Sequence, residues 1–168
     1  MGFEAGGIFT MEKINDRVQA VQDKLEELGF ANRVVVLPDS ARTAQEAAEA
    51  IGCEVAQIAK SIIFRMKQSE KPLLVVASGT NRINEKRIGQ EIGEKLGKAD
   101  AGFVREHTGF VIGGIPPIGH KEPIVTLIDE DLLPYAEIWA AAGHPHAVFP
   151  LTPQELIGMT SGRVMPVV

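Results

Sequence analysis

The first strong pattern along the chain is helical. Over residues 12–28, apolar side chains recur at intervals of three and four, with charged residues between them, which is typical of one face of an amphipathic helix. Gly29 follows where a helix commonly ends. The segment before this helix has no such pattern. We therefore expect a flexible tail over residues 1–10 and one folded domain over residues 11–168.

Short runs of β-branched and other apolar residues predict the strands. Residues 33–38 contain three consecutive valines and are expected to form a buried strand. Residues 61–65 and 73–78 form two further runs with a short charged connection, which predicts a hairpin. Further strands are predicted over 110–112, 123–128 and 135–142, within 144–149, and at 162–168, where Pro166 indicates an edge strand.

Helix-start signals lie between these runs. Thr43 with Glu46 three residues later forms a capping box, and the alanine-rich helix after it is expected to end at Gly52. Asn84 is a candidate N-cap within a helical segment over residues 80–98 that breaks near a glycine. Short helices or helical turns are predicted over 54–59 and 101–107 and from Thr152 onwards.

The order of these elements predicts the fold class. Strands separated by turns, with helices early and in the middle, indicate an α+β fold rather than regular βαβ alternation. A chain of 168 residues with 45% apolar and 23% charged residues is long enough for one domain with its own core.

Composition excludes several function classes. A net charge of −5 disfavours broad nucleic-acid binding but allows a local basic patch. The single cysteine, Cys53, excludes an internal disulfide and a cysteine-based zinc site and suits a cytoplasmic location. No apolar run is long enough to cross a membrane. Metal, nucleophile and phosphate-loop motifs such as HExxH, GxSxG and GxxxxGK are absent, so we expect no metal and no cofactor.

Three features could carry chemistry. Residues 108–121 contain Gly113-Gly114 and two prolines, a rigid turn whose N–H groups could cradle an oxygen atom or could simply form a stiff loop. Lys60 lies at a strand entrance, either as a ligand contact or as a solvated end residue. The densest basic spot could be only a solvated helix face; it comprises Arg82, Lys86 and Arg87.

The chain resembles a known family in three stretches. They are TAQEAAEAIGCEVAQIAKSIIF (43–64), GFVIGGIPPIGH (109–120) and AAGHPHAVFPLTPQEL (141–156). They look like the YbaK/EbsC family of aminoacyl-tRNA editing domains, which are related to the insertion domain of bacterial prolyl-tRNA synthetase. The resemblance implies a compact α+β fold around a mixed, barrel-like sheet with flanking helices. It also implies free-standing hydrolysis of mischarged tRNA, most typically tRNA for proline carrying alanine, cysteine or a similar small amino acid.

The resemblance also implies roles for particular residues. Lys60 matches the family's lysine beside the terminal adenosine and the ester, and Gly113, Gly114 and the loop to Pro117 match the segment whose amides hold the carbonyl or the attacking water. His146, chosen over His144, is expected near the amino-acid pocket. Ile115 and Pro117 of that loop are further candidate substrate contacts. Separately from the resemblance, positions at the ends of predicted strands give four more candidates: Val36, Leu37, Ser78 and Gly79. The candidate tRNA phosphate contacts are Arg82, Lys86 and Arg87.

The family resemblance therefore implies a deacylase that acts in trans on the acceptor end of mischarged tRNA. Prolyl-tRNA synthetase is a second candidate partner. The aspartate of some cysteine-editing members has no match at the C-terminal end, which disfavours cysteine specificity. Two alternatives stay open: a module that binds charged tRNA or a synthetase without hydrolysis, and a deacylase for small acyl substrates. The sequence leaves open whether the chain is a monomer or a homodimer.

Overall fold

A computed structural model describes the backbone of residues 8–168 and the side chains of residues 16–168. The helices are α1 (Ile8–Glu27), α2 (Ala44–Ile51), α3 (Glu85–Ile92), α4 (Ala101–Thr108) and α5 (Pro153–Thr160). The strands are β1 (Val35–Val36), β2 (Ile58–Met66), β3 (Pro72–Ser78), β4 (Leu96–Lys98), β5 (Val125–Asp129), β6 (Ile138–His144), β7 (Ala147–Leu151) and β8 (Arg163–Met165). Short 3₁₀ turns occupy Val55–Gln57 and Glu130–Leu132.

The strands form one mixed sheet in the order β1-β7-β6-β2-β3-β5-β8, with β4 paired beside β2. The predicted hairpin is confirmed, because β2 and β3 pair antiparallel from Ala59 opposite Ser78 to Arg65 opposite Pro72. The pairs β2–β6, β3–β5 and β5–β8 are parallel. Helices and strands do not alternate regularly, so the predicted α+β class with a mixed sheet is also confirmed.

The core consists of three packed clusters. The largest joins α1 to the sheet, with Val21 and Leu25 fully buried against residues such as Ile138. A second cluster packs Ile88 of α3 against the other face of β3, where Val75 is fully buried. A third holds α2 against the start of β2 and against β7. Burial on both sides explains why β3 is apolar at nearly every position.

Helix caps follow the sequence signals. The Thr43 hydroxyl accepts the Glu46 N–H at 3.1 Å, and the Glu46 carboxylate accepts the Thr43 N–H at 3.0 Å. Asn84 caps α3 through the Arg87 N–H at 3.1 Å. Local side-chain to backbone bonds of this kind depend on a few neighbouring residues, which is why sequence alone locates them.

The structure corrects four sequence expectations. Residues 110–112 form a turn instead of a strand, and Ile112 is 56% exposed. The predicted buried strand at 33–38 is only β1, and both of its valines are 43% exposed. Residues 96–98, expected in a helix, form β4, because Gly93 ends α3 with φ +84°. Helix α1 begins at Ile8, inside the predicted tail; residues 1–7 lie outside the described residues.

Candidate active site

A gap in the sheet forms the candidate site. Strand β2 pairs with β6 only at Ile58 and Ala59, and with β4 only from Phe64 to Met66. Among the residues that the structure describes, no strand therefore lies beside residues 60–63 on the edge opposite β3. A cleft of about 960 Å³ opens at this gap.

The cleft crosses the open edge of β2 from one face of the sheet to the other. A cleft on one face of a strand would contact alternate residues, because successive side chains point to opposite faces. Here seven consecutive residues, Ile58 to Phe64, line the cleft. Lys60 and Ile62 point to one face and Ser61 and Ile63 to the other.

The two sides differ in chemistry. We call one side the apolar half, because its lining residues belong to the largest core cluster: Ala59, Ile63, Ala99, Val104 and Ile115. We call the other side the cationic half. Its basic residues are Arg42, Lys60, Arg82 and Lys98. Lys98 shares the face of Lys60 because it pairs with Phe64, which lies an even number of residues, four, further along β2.

The cationic half is strongly positive in an acidic protein. Glu85 is the single acidic residue in the cleft lining. None of the four basic side chains forms an ion pair with an acidic side chain of the described part of the chain. Unpaired cations around a concave surface attract and hold anionic groups such as phosphates.

Arg42 is fixed at the cleft by the cap of α2. Its N–H donates to the Glu46 carboxylate at 3.1 Å. This bond and a similar bond from the Thr43 N–H hold the pKa of Glu46 below its usual range. The cap is evident in the sequence, but the position of Arg42 at the cleft is not, because nothing in the sequence brings α2 there.

The predicted basic cluster divides in the structure. Arg82 lines the cleft, whereas Lys86 and Arg87 do not. The Arg87 guanidinium instead donates to the Val168 carbonyl at 2.6 Å. Lys98, which the sequence analysis placed in a helix, lines the cleft in their stead.

The two adjacent glycines have different structural tasks. Gly113 lines the cleft with φ +93°, a conformation that disfavours every other residue type. Gly114 allows close packing, since a Cβ there would lie 2.8 Å from the His144 Cα. The Gly114 N–H donates to the Val111 carbonyl at 3.1 Å. The Gly113 and Ile115 N–H groups have no hydrogen-bond partner among the described residues.

His120 fixes the second half of the loop. Its Nε2 lies 2.7 Å from the Pro116 carbonyl oxygen, which makes the neutral ring a donor there. Burial lowers the pKa of His120, and the bond to Pro116 opposes that effect in part. Ile115 of the same loop lines the cleft, whereas Pro117, the other predicted contact of this loop, is buried away from it.

Several other predicted contacts also lie outside the cleft lining: Val36, Leu37, Ser78, Gly79 and His146. Ser78 is buried, and its hydroxyl donates to the Ala56 carbonyl at 2.7 Å. A Cβ at Gly79 would lie 2.3 Å from the Val55 carbonyl oxygen, so the chain passes too close for a side chain. Both residues support the base of the loop that carries Arg82.

The histidine pair lies behind the glycine loop. The His144 Nδ1 accepts the His146 N–H at 3.1 Å, and the His146 Nδ1 lies 3.5 Å from the Asp39 carboxylate. Burial lowers the pKa of His144, with smaller contributions from the charges of His146 and Arg17. Pro145, between the two histidines, is the member of this segment that lines the cleft.

Asp129 connects the sheet to the Arg82 loop. Its carboxylate is fully buried and accepts the Ser78 N–H at 2.9 Å and the Asn81 side-chain amide at 2.8 Å. Its other oxygen accepts the Asp131 N–H at 2.9 Å. Asn81 and Arg82 both line the cleft, so Asp129 positions part of the cationic half.

The described residues include no cluster of three or more histidine, cysteine or acidic side chains that could hold a metal ion. Among the same residues, no helix combines the length and apolar character that crossing a bilayer would need.

Comparison with known proteins, by sequence and by fold, places the chain in one protein family. The chain belongs to the family described as the aminoacyl-tRNA editing domain, whose model matches residues 38–159. This is the YbaK-type family that the sequence resembles. A solved structure described as "Crystal structure of a putative trans-editing enzyme for prolyl tRNA synthetase" superposes with a TM-score of 0.86 and 45% identity. That match covers 90% of this chain and 96% of the other.

Two curated proteins are also similar to this chain in sequence. "Proline--tRNA ligase" of Limosilactobacillus fermentum is 35% identical over 96 residues, which cover 55% of this chain and 17% of the ligase. "Putative Cys-tRNA(Pro)/Cys-tRNA(Cys) deacylase EbsC" of Enterococcus faecalis is 26% identical over 124 residues, which cover 72% of this chain and 74% of that protein. This chain is therefore an editing domain related both to a prolyl-tRNA synthetase and to a deacylase homologue.

Proposed function

We propose that this protein is a trans-editing deacylase that hydrolyses the ester of mischarged tRNA in the cytoplasm. The proposed substrate is tRNA for proline that carries alanine or a similar small amino acid. One observation carries the proposal: a single cleft joins Lys60, the free N–H of Gly113 and an apolar lining. The acceptor end is the proposed partner, with prolyl-tRNA synthetase as a further one.

The reaction requires stabilisation of negative charge on the ester carbonyl oxygen. Water attacks the carbonyl carbon, and the bond from that carbon to the ribose oxygen then breaks. The Gly113 N–H is the proposed donor to the developing oxyanion, and the Ile115 N–H assists it. One such donor stabilises the transition state by about 3–4 kcal/mol in known cases. Gly114, whose N–H is used within the loop, holds the backbone in place.

Lys60 is proposed to hold the terminal nucleotide beside the ester. It lies in the cationic half, where Arg82 and the other basic residues can neutralise phosphates of the acceptor end. No side chain is assigned as the base, and a ribose hydroxyl of the tRNA is proposed to help activate the water. Lys86 and Arg87 remain predicted contacts for more distant phosphates.

The apolar half suits a small aminoacyl group. Its lining includes Ala59 and Ala99 and the branched side chains of Ile63, Val104 and Ile115. Such a pocket excludes charged side chains because they would lose their hydration without gaining a partner. Discrimination between side chains that differ by one methylene is limited to about 10–200-fold in a pocket of this kind.

The test is hydrolysis of proline tRNA charged separately with alanine, serine, cysteine and proline. The wild-type protein should cleave one mischarged ester and spare prolyl-tRNA, and Lys60→Ala should abolish the cleavage. Lys71→Ala, an exposed lysine of the β2–β3 connection, is the matched control and should retain activity. Stable esters combined with tRNA binding would instead support a binding module without hydrolysis.

A further inference from the structure

The open edge of β2 presents unpaired main-chain groups to the cleft. The Met66 N–H donates toward β3, to Lys71, and the Lys67 N–H donates toward β4, to Lys95. Because main-chain groups alternate in direction along a strand, odd-numbered residues of β2 direct theirs to the edge opposite β3. Ser61 and Ile63 are the odd-numbered residues within the gap.

No strand within residues 8–168 covers these groups. The β6 ladder ends at Ala59, and the β4 ladder begins at Phe64. The N–H and C=O of Ser61 and the N–H of Ile63 therefore form a row of donor, acceptor and donor along the cleft. Buried main-chain groups of native proteins are nearly always paired, so this row is expected to have a partner when the cleft is filled.

A second observation points to a ligand at the same place. Ser61 lines the cleft, and its buried hydroxyl oxygen has no hydrogen-bond partner among the described residues. It is the single buried side-chain oxygen or nitrogen of the described residues in this condition. An unsatisfied polar atom beside an unpaired strand edge indicates a polar group of the substrate.

We propose that the open edge of β2 recognises the base of the terminal adenosine. The Watson–Crick and Hoogsteen edges of adenine each place a ring nitrogen acceptor beside the amino donor, and proteins bind unpaired bases through such edges. The Ser61 carbonyl accepts the adenine amino group, and a neighbouring N–H of Ser61 or Ile63 donates to the ring nitrogen. The gap spans only residues 60–63, which is too short for a peptide strand and suits one base.

This inference rests on the proposed function and assigns a different part of the cleft to each part of the substrate. Phosphates contact the cationic half, the aminoacyl group enters the apolar half, and the base contacts the strand edge between them. Since every tRNA ends in adenosine, the edge anchors the acceptor end without distinguishing one tRNA from another. Selection among tRNAs is then assigned to contacts outside the β2 gap.

The first experiment follows main-chain amides by NMR during titration with adenosine 5′-monophosphate. The Ser61 and Ile63 signals should shift, and their hydrogen exchange should slow. The Lys60 and Ile62 amides, which donate to β3, are the internal control and should change little. Equal changes at all four amides, or none at Ser61 and Ile63, would overturn the proposal.

The second experiment separates base recognition from the proposed function. Alanyl-tRNA for proline is prepared with terminal adenosine or with terminal purine riboside, which lacks the amino group. Loss of that hydrogen bond should lower kcat/KM about tenfold. Equal hydrolysis of the two substrates would refute base recognition and leave the deacylase function standing. Shifts at Ser61 and Ile63 without hydrolysis of either substrate would refute the deacylase function alone.

Discussion

The Gly114 carbonyl oxygen accepts the Gly143 N–H at 3.0 Å, which joins the glycine loop directly to the end of β6. Gly143 itself has φ +92°, and a Cβ there would lie 2.9 Å from the Arg17 carbonyl oxygen of α1. Three main-chain segments thus meet without side chains between them. This contact holds the Gly113 N–H at a fixed place in the cleft.

Substitution of Gly113 and of Gly114 should lower the free energy of unfolding by different amounts. Gly114→Ala forces a Cβ into the His144 backbone and should destabilise the fold by about 2–3 kcal/mol. Gly113→Ala has space but keeps a left-handed conformation, at a cost of about 1–2 kcal/mol. Thermal or urea unfolding of the two variants measures the difference.

Gly158→Ala is the control for this pair. Gly158 lies within α5 with no atom near the position of an added Cβ, so alanine should stabilise the protein by about 1 kcal/mol. Equal stability of the Gly113 and Gly114 variants would show that the loop does not pack on β6 as described.

Asp129 should act on substrate binding from a distance. Asp129→Asn replaces one carboxylate oxygen with a donor that faces other donors, so we expect a loss of about 2–3 kcal/mol in unfolding free energy. KM should rise more than kcat falls, because the variant displaces Asn81 and Arg82 but not the Gly113 loop. Glu130→Gln, at an exposed position whose side chain forms no hydrogen bond with the described residues, is the control and should have a much smaller effect.

The four cations of the cleft should control the salt dependence of tRNA binding. Each contact with a single-stranded phosphate contributes about 0.7 to the slope of log K against log salt concentration. Arg42→Ala and Lys98→Ala should each lower the slope by about this amount and weaken binding at low salt. Arg33→Ala is the control, because that residue pairs with Glu26 away from the cleft. An unchanged slope in both cleft variants would exclude phosphate contacts there.

Stability should fall as the solution becomes mildly acidic. The pKa of His120 is lowered by burial, so the folded protein favours the neutral ring. In the unfolded chain the pKa of a histidine is about 6.5. As the pH falls below that pKa, the unfolded chain binds the proton more readily than the folded protein does, so the free energy of unfolding decreases. The unfolding temperature should therefore drop between pH 7.5 and pH 5.5.

The variant that checks this pH dependence is His120→Gln, whose amide can still donate to the Pro116 carbonyl. Its unfolding temperature should depend less on pH than that of the wild type. Some dependence should remain, because the pKa of His144 is lowered in the same direction. An identical pH dependence in wild type and variant would exclude His120 as a source.

Local signals in the sequence predicted the elements that local contacts determine. The capping box at Thr43, the hairpin and the final helix that begins after Thr152 depend on residues close in sequence. Residues 110–112 are apolar like a strand, but no neighbouring strand is placed to pair with them. Leu96 to Lys98 pairs with β2 across about 30 residues, a contact that helical spacing alone did not reveal.

The family resemblance named residues from several distant parts of the sequence, and part of that set lies together in the structure. Lys60, Gly113, Ile115 and Arg82 all line one cleft. Arg42, Lys98 and Ser61 also line the cleft but were not predicted to do so. Nothing in the sequence brings α2 and Arg42 to the cleft, and the positions of Lys98 and Ser61 there depend on which strand edge remains unpaired. The unpaired edge of β2 results from the lengths of the β6 and β4 ladders, and no sequence motif indicates it.

The central claim is tested most directly by single-turnover hydrolysis of alanyl-tRNA for proline. The wild-type protein should release alanine and leave prolyl-tRNA intact, Lys60→Ala should be inactive with an unchanged unfolding temperature, and Lys71→Ala should match the wild type. Hydrolysis by Lys60→Ala at the wild-type rate would contradict the account of the cleft. An inert wild-type protein with every mischarged ester would contradict the deacylase function itself.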